Sequence, residues 1–126
     1  MRETERESTQ RAVEATPSLD RVFDLLSNRR RRYALYTLYE QSDGVATIDE
    51  LTDRVCTFDR QFTPSETTTA GDFQRAVRTE LLHVHLPKLA DAGVLEQDQR
   101  TETVRYWSQP TLEEWLEHAY HKEQRS

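Results

Sequence analysis

The feature that most constrains the fold of this chain is a long helical segment followed directly by two short alternating segments. Residues 72–91 form the longest helical candidate, and Asp72 is suited to cap its start. Its apolar arc consists of Val77, Leu81, Leu82, Leu86 and Leu89. Gly93 fits a C-terminal stop, and "VLEQDQ" and "TVRYWSQ" predict two strands joined near residues 100–102. Few small folds place a hairpin immediately after a long helix.

Three shorter helical segments come before this junction. In "SLDRVFDLLS", Ser18 is a candidate cap, and the expected apolar stripe is Leu19, Val22, Phe23 and Leu26. The segment "SNRRRRYALYTLYEQSDG" predicts a second helix that Ser27 or Asn28 would cap, with Ala34, Leu35, Leu38 and Tyr39 on its buried side. A short strand at 45–47 leads into a third, short helix, because Thr47 and Glu50 have capping-box spacing. Residues 57–71 are rich in threonine and contain Pro64, which predicts a long loop.

This order of elements predicts a mainly α fold with a small β-hairpin wing, a winged helix-turn-helix. We expect residues 1–17 to be a flexible N-terminal tail and residues 18–109 to form the winged helix-turn-helix domain. Residues 110–126 predict an amphipathic C-terminal helix, which is a candidate dimerisation element.

The charge balance is unusual for a chain with such an order of elements. Of 126 residues, 23 are acidic and 17 are basic, the net charge is −6, and the only lysines are Lys88 and Lys122. An acidic, lysine-poor chain suggests a protein adapted to high salt, and it counts against nucleic acid as a partner unless positive charge gathers on one face. No apolar run is long enough to span a membrane and the start lacks a signal-peptide pattern, so we expect a cytoplasmic protein without a membrane partner.

Two segments carry a family resemblance. "LDRVFDLLSNRRRRYALYTL" and "HVHLPKLADAGVLEQD" resemble small winged-helix domains of haloarchaea, of mostly unassigned function, which are loosely related to ArsR-like transcription regulators. The resemblance covers roughly residues 19–109 and implies a DNA-binding fold and a halophilic archaeal source, but no known ligand. Two features depart from it: the 57–71 loop is longer than a tight turn, and the wing turn "QRTET" lacks glycine.

Four consecutive arginines at 29–32 are the strongest local clue to a binding site. Cations in the first turn oppose the helix dipole, which prefers anions there. A phosphate of the DNA backbone, bound at the helix start, would relieve this repulsion. The alternative is a solvated cluster paired with Asp20, Asp24 or other acids. The candidates for phosphate contact are Arg29, Arg30, Arg31 and Arg32.

The long helix would be the recognition helix of such a domain. Glutamine can pair with adenine edges and arginine with guanine. The candidates near its start are Gln74, Arg75, Arg78 and Thr79, with Thr68 and Thr69 just before it for phosphate and Arg100 at the wing tip. The alternative is an ordinary solvent-facing surface, on which Glu80 partly cancels the positive charge.

Metal binding and catalysis find little support in the sequence. His83 and His85 lie two apart on a helix and cannot share an ion, so we expect His85 in the core and His83 on the surface. His118 and His121 have no evident third ligand, and Cys56 stands alone. No phosphate-binding loop or nucleophile motif is present, so we expect neither an enzyme nor a cofactor or metal site.

The sequence therefore predicts a transcription regulator that binds double-stranded DNA as a homodimer, with no small-molecule effector indicated. The first and last helices are apolar on one face and would form the dimer, unless they pack on their own domain. The interface candidates are Leu19, Phe23, Leu112, Trp115 and Leu116. The alternative function is a winged-helix module that binds proteins rather than DNA, which the net negative charge favours.

Overall fold

The structure is a computed structural model that describes residues 17–62 and 70–125. Of the predicted tail at residues 1–17, residues 1–16 lie outside the described residues, as do Thr68 and Thr69. The helices are α1 (Leu19–Leu26), α2 (Arg29–Glu40), α3 (Ile48–Phe62), α4 (Ala70–Glu80), α5 (Leu86–Asp91) and α6 (Pro110–Arg125). The strands are β1 (Val45–Thr47), β2 (Leu95–Asp98) and β3 (Thr103–Tyr106). The described part is thus mainly helical with a small antiparallel sheet, as expected.

The three strands form one antiparallel sheet in the order β1-β3-β2. Residues 95–98 and 103–106 make the predicted hairpin, and β1 adds to its other edge with Val45 opposite Arg105. Gly44 precedes β1 with a φ of 70°, and its carbonyl accepts a hydrogen bond from the amide of Tyr106 at 2.7 Å. A Cβ at Gly44 would lie 3.1 Å from the Tyr106 carbonyl oxygen, so the position requires both the conformation and the size of glycine.

Three of the helices, α1, α2 and α3, start where the capping residues of the sequence predict. Ser18 caps α1, and the Asn28 side chain accepts hydrogen bonds from the amides of Arg30 and Arg31. Thr47 and Glu50 form the expected reciprocal capping box at α3, with distances of 2.8 and 3.0 Å. The end of α3 differs from the prediction, because the helix continues to Phe62 and includes residues 57–62 of the expected 57–71 loop. Phe58 lies in the core and Phe62 packs against it, so aromatic burial extends the helix.

The long helix runs over residues 70–91 and consists of α4, a π-helical turn at Leu81–His85, and α5. It begins at Ala70, so Asp72 lies inside its first turn rather than at its cap. The amide of Leu86 bonds the carbonyl of Leu81 five residues back. Pro87 follows at once, and proline has no N–H and crowds the carbonyl four residues before it. The wider π turn accommodates the proline without ending the helix.

The hairpin turn solves the absence of glycine with two other residues. Glu102 has a φ of 56°, in the left-handed region. The Asp98 side chain accepts hydrogen bonds from the amides of Arg100 and Thr101, at 3.0 and 3.4 Å. The left-handed backbone of Glu102 and the hydrogen bonds to the Asp98 side chain thus supply the turn geometry that glycine usually provides.

Candidate nucleic-acid interface

The outer face of α4 presents most of the predicted base-reading side chains. Val77 is the buried residue of α4, and Phe73 packs against the core beside it. Arg75 and Thr79 lie on the opposite side and are exposed, and Gln74 is exposed at the flank of the helix that faces Asp53 of α3. The helix therefore has an inner edge fixed by apolar packing and an outer face open to a partner.

Each described cation and amide of this face has an acidic neighbour. Arg75 pairs with Asp72 one turn earlier, and the side-chain amide of Gln74 donates to Asp53 of α3. Arg78 Nε lies 3.3 Å from Asp49 Oδ1, and its Nη2 lies 3.6 Å from Glu102 Oε1. The two arginines of this face are thus accompanied by four carboxylates.

The contact between Arg78 and Glu102 also shows where the hairpin lies. Glu102 belongs to the turn between β2 and β3, so this turn lies within reach of the last turn of α4. Arg100 is exposed on the same turn. Arg75, Arg78 and Arg100 are thus on two neighbouring elements, as the sequence predicts for a helix and its wing.

Most of the arginine cluster has a structural role, and the assignment of Arg31 to DNA was wrong. Arg31 is 6% exposed. Its Nε donates to the carbonyl of Leu25 at 2.9 Å and its Nη2 to the carbonyl of Asp24 at 2.8 Å. Arg32 Nη1 donates to the carbonyl of Leu26 at 2.6 Å. These carbonyls belong to the last turn of α1, so Arg31 and Arg32 cap that helix and complement the negative end of its dipole.

The remaining contacts of the cluster tie α2 to three other helices. Arg32 makes a two-point pair with Glu123 of α6, at 3.0 and 2.8 Å. Arg30 pairs with Glu80 of α4 at 2.6 Å and with Asp59 of α3 at 3.3 Å. The acids that pair with these arginines are ones distant in sequence, whereas the carboxylate of Asp24 pairs with Lys88 at 2.8 Å. These acids, rather than an external phosphate, offset the cations at the start of α2.

Arg29 is the most exposed member of the cluster. Its side chain is 47% exposed, and its Nε lies 2.9 Å from Asp59 Oδ1. Asp59 is itself 4% exposed, so Arg29 and Arg30 together neutralise a buried carboxylate. The guanidinium of Arg30 also lies 5.2 Å from the ring centroid of Phe73, in a cation–π contact. Of the four predicted phosphate ligands, Arg29 alone keeps substantial access to solvent.

His85 is the buried centre of the junction between the π turn and α2, and the expected core histidine is confirmed. It is 2% exposed, whereas His83 is exposed. Its Nε2 lies 2.7 Å from Glu80 Oε2, and its Nδ1 lies 3.4 Å from Arg31 Nη1. Because an arginine can only donate, Nδ1 is the acceptor and Nε2 carries the proton that is shared with Glu80. This assignment gives a neutral imidazole.

The pKa shifts at this junction agree with that assignment. Burial lowers the pKa of His85 below its ordinary value, although the contact with Glu80 opposes the shift. Burial also resists ionisation of Glu80, but its hydrogen bond with His85 and the charge of Arg30 prevail and lower its pKa. A neutral histidine therefore lies between an ionised glutamate and two guanidinium groups.

The sequence did not indicate Asp59, Glu80 and Glu123 as partners of the arginines. The spacing of Glu80 to His85 was visible, but neither position reveals the fold that brings Arg31, 54 residues earlier in the chain, to the imidazole. The one available signal was the excess of cations at a helix start, which requires anions from some source.

The predicted dimer residues divide into two groups. Leu112 and Leu116 are fully buried in the core of their own chain, so their assignment to an interface was wrong. Leu19 and Phe23 are 50% and 46% exposed, which corrects the expected buried stripe of α1 to Val22, Leu25 and Leu26. The rings of Phe23 and Trp115 meet edge to face at 5.2 Å. We call Leu19, Phe23 and Trp115 the α1–α6 patch.

Within the described ranges, no group of three or more His, Cys, Asp or Glu residues has the geometry of a metal site. The same part of the chain contains no helix that combines the length and the apolar character needed to cross a membrane.

Comparison with known proteins places this chain in a family. Residues 23–105 match the model of a domain of unknown function, DUF7344, and the chain belongs to that family. The match begins within α1 and ends within β3, so it includes the long helix and most of the sheet. Searches of curated proteins and of solved structures found no significant match.

Proposed function

We propose that the chain is a DNA-binding transcription regulator with a winged helix-turn-helix domain. The observation that supports this most is the succession α2, β1, α3, long helix, β2 and β3, with the hairpin turn held beside α4 by the contact of Arg78 with Glu102. In this proposal α3 and α4 form the helix-turn-helix, α4 enters the major groove, and the hairpin is the wing.

The exposed side chains of α4 suit the edges of bases. Arginine reads guanine and glutamine reads adenine in the major groove, which is wide enough for a helix. Arg75 and Gln74 project from the first turns of α4, where a recognition helix makes its base contacts. Arg100 on the wing and Arg29 at the start of α2 contact phosphates in this arrangement, and Thr68 and Thr69 retain that proposed role.

The acidic neighbours of Arg75 and Arg78 set the character of the binding. Exposed ion pairs of this kind contribute about 0–1 kcal/mol, so a guanine edge or a phosphate can compete for the guanidinium. The carboxylates repel the backbone of DNA that does not offer the arginines such a contact. Specific affinity then depends on base contacts more than on bulk charge, and its salt dependence is shallow.

We further propose that the protein is a homodimer formed through the α1–α6 patch. Two copies related by a two-fold axis would cover Leu19, Phe23 and Trp115, and would present two recognition helices to a palindromic site. The acidic, lysine-poor composition supports a halophilic archaeal source, and the winged-helix order supports a relationship to ArsR-like regulators. Such a regulator works in the cytoplasm.

A specific observation also favours a second candidate, a protein-binding module. Asp49, Asp53, Asp72 and Glu102 surround the arginines of α4, and the whole chain has a net charge of −6. A mixed-charge helix face with a separate apolar patch can recognise a protein surface without DNA.

The test is capture of genomic DNA fragments across a range of KCl concentrations up to molar. We expect the wild-type protein to retain a defined set of fragments, and the double variant Arg75→Ala/Arg78→Ala to lose at least about tenfold in affinity, because a bidentate arginine–guanine pair contributes about 1–3 kcal/mol.

The matched control is Arg54→Ala. The Arg54 side chain is 43% exposed and paired with a carboxylate, like Arg78, but its partner is Glu40 at the end of α2. Unchanged fragment selection by the double variant would refute the assignment of α4, and no retained fragment at any salt concentration would favour the protein-binding candidate.

Light scattering tests the dimer separately. We expect a dimer at tens of micromolar and a monomer for Phe23→Ser/Trp115→Ser. A monomeric wild-type protein at that concentration would refute the proposed interface while leaving DNA binding open to its own test.

A further inference from the structure

A cleft separates the C-terminal halves of α2 and α6, away from the proposed DNA face. Its volume is about 310 Å³, at the lower end of the size range of ligand sites. Tyr36 and Leu116 form its buried floor, and Tyr39 and Tyr120 form its sides. The rings of Tyr36 and Tyr120 lie 5.0 Å apart at 70° in an edge-to-face contact, which leaves the more exposed rings of Tyr39 and Tyr120 as the aromatic surfaces open to the cleft.

The rim of this cleft is acidic. Glu40 and Glu117 are exposed at its edge, together with His121. Glu40 pairs with Arg54 at 3.0 Å, whereas Glu117 accepts a hydrogen bond from the neutral hydroxyl of Tyr39. Of the two carboxylates at the rim, Glu117 is therefore the one whose negative charge these contacts do not offset with a cation.

The titration of Tyr39 reports the local field. Its hydroxyl donates to Glu117, and this hydrogen bond, with a small effect of burial and with the negative charges of Glu117 and Glu113, raises the pKa of Tyr39 to about 12. Among these causes, the negative charges of Glu117 and Glu113 are the ones that would also favour a nearby cation.

We propose that this cleft binds a small organic cation of the quaternary ammonium class. Aromatic faces attract a cation through their quadrupoles, and the attraction increases when the site is partly desolvated. Glu117 adds a direct charge interaction. A quaternary ammonium fits better than a primary one because it has no N–H groups to satisfy, and the cleft is lined mostly by apolar atoms.

The site does not depend on the proposed DNA function. Tyr36, Tyr39 and Glu40 lie within the family match, which ends at Arg105, but the opposite wall belongs to α6 and lies outside it. Glu123 of the α6 wall accepts hydrogen bonds from two residues of α2, Arg32 and Tyr36. The Tyr36 hydroxyl lies 2.5 Å from Glu123 Oε1, and these bonds hold the two helices together. The two walls are thus fixed before any ligand enters, which favours binding.

Choline and its neutral carbon isostere, 3,3-dimethylbutan-1-ol, provide a matched pair of probes for isothermal titration calorimetry on the full chain. We expect saturable binding of choline at millimolar concentration, and binding of the isostere at least about fivefold weaker, because it has the same shape without the charge. Equal affinities for the two compounds, or no binding of either, would overturn the proposal.

Variants on α6 locate the binding. Glu117→Gln should weaken choline binding about fivefold, while Glu114→Gln, an exposed position on the same helix that does not line the cleft, should leave it unchanged. Tyr120→Leu should remove binding altogether, and circular dichroism checks that it folds. If Glu114→Gln loses as much affinity as Glu117→Gln, the effect is one of net charge and the site is refuted.

Discussion

Replacement of Arg31 by methionine tests the reassignment of the arginine cluster from DNA contact to structure. Methionine keeps the unbranched apolar stem but removes the guanidinium donors. The carbonyls of Asp24 and Leu25 then lose their hydrogen bonds of 2.8 and 2.9 Å, and His85 Nδ1 loses its donor. The C-terminal end of α1 loses the Arg31 part of its cap, whereas Arg32 still donates to the carbonyl of Leu26.

The expected loss follows from these contacts. A hydrogen bond to a charged group contributes about 1.5–3 kcal/mol, and the helix-dipole interaction adds about 0.3–1 kcal/mol. Two such bonds, discounted because the carbonyl of Asp24 is only partly buried, give a loss of about 3 kcal/mol. For a domain of about 100 residues this is a large part of the total stability and lowers Tm by at least about 10 °C.

Urea unfolding followed by circular dichroism measures this loss, with Arg75→Met as the control. The Arg75 side chain is 76% exposed and its partner Asp72 is 61% exposed, so its replacement should cost at most about 1 kcal/mol. If the free energy of unfolding of Arg31→Met lies within about 0.5 kcal/mol of the wild-type value, the capping role is wrong and the cluster is free for another function.

Three further predictions concern the same framework. The free energy of unfolding should fall as pH falls below about 6.5, because the unfolded chain takes up a proton that buried His85 resists. It should fall further at lower pH as Glu80 is protonated. His85→Gln should flatten the first part of this pH profile, while the control His83→Gln keeps the wild-type slope. Leu112→Ala should cost about 2–5 kcal/mol in urea unfolding, a result that a purely interfacial leucine would not give. Gly44→Ala should lower the free energy of unfolding by at least about 1 kcal/mol, because the new Cβ meets the Tyr106 carbonyl at a positive φ; an unchanged midpoint would contradict this.

Local signals in the sequence were sufficient for most of the elements. Ser18, Asn28 and Thr47 are caps whose side chains act within three residues, so their roles can be read from spacing alone. The end of α3 was also encoded, since Val55, Phe58 and Phe62 have helical spacing. The prediction gave more weight to the threonines and Pro64 that follow and ended the helix too early.

Contacts between distant segments were beyond the sequence. The four arginines reveal an excess of positive charge but not which acids meet it, because Asp59, Glu80 and Glu123 reach them only through the packing of α3, α4 and α6. For the same reason, Leu112 and Leu116 of α6 could not be assigned to the core before the position of α6 against α1 and α2 was known.

The central claim is that α4 and the hairpin turn contact duplex DNA. Nuclear magnetic resonance of the ¹⁵N-labelled protein, titrated with a duplex recovered by fragment capture, tests it most directly. The account predicts that amide shifts concentrate at residues 70–80 and 98–102, with the cleft between α2 and α6 unaffected. Shifts confined to α1 and α6, or no shifts at saturating duplex, would contradict it.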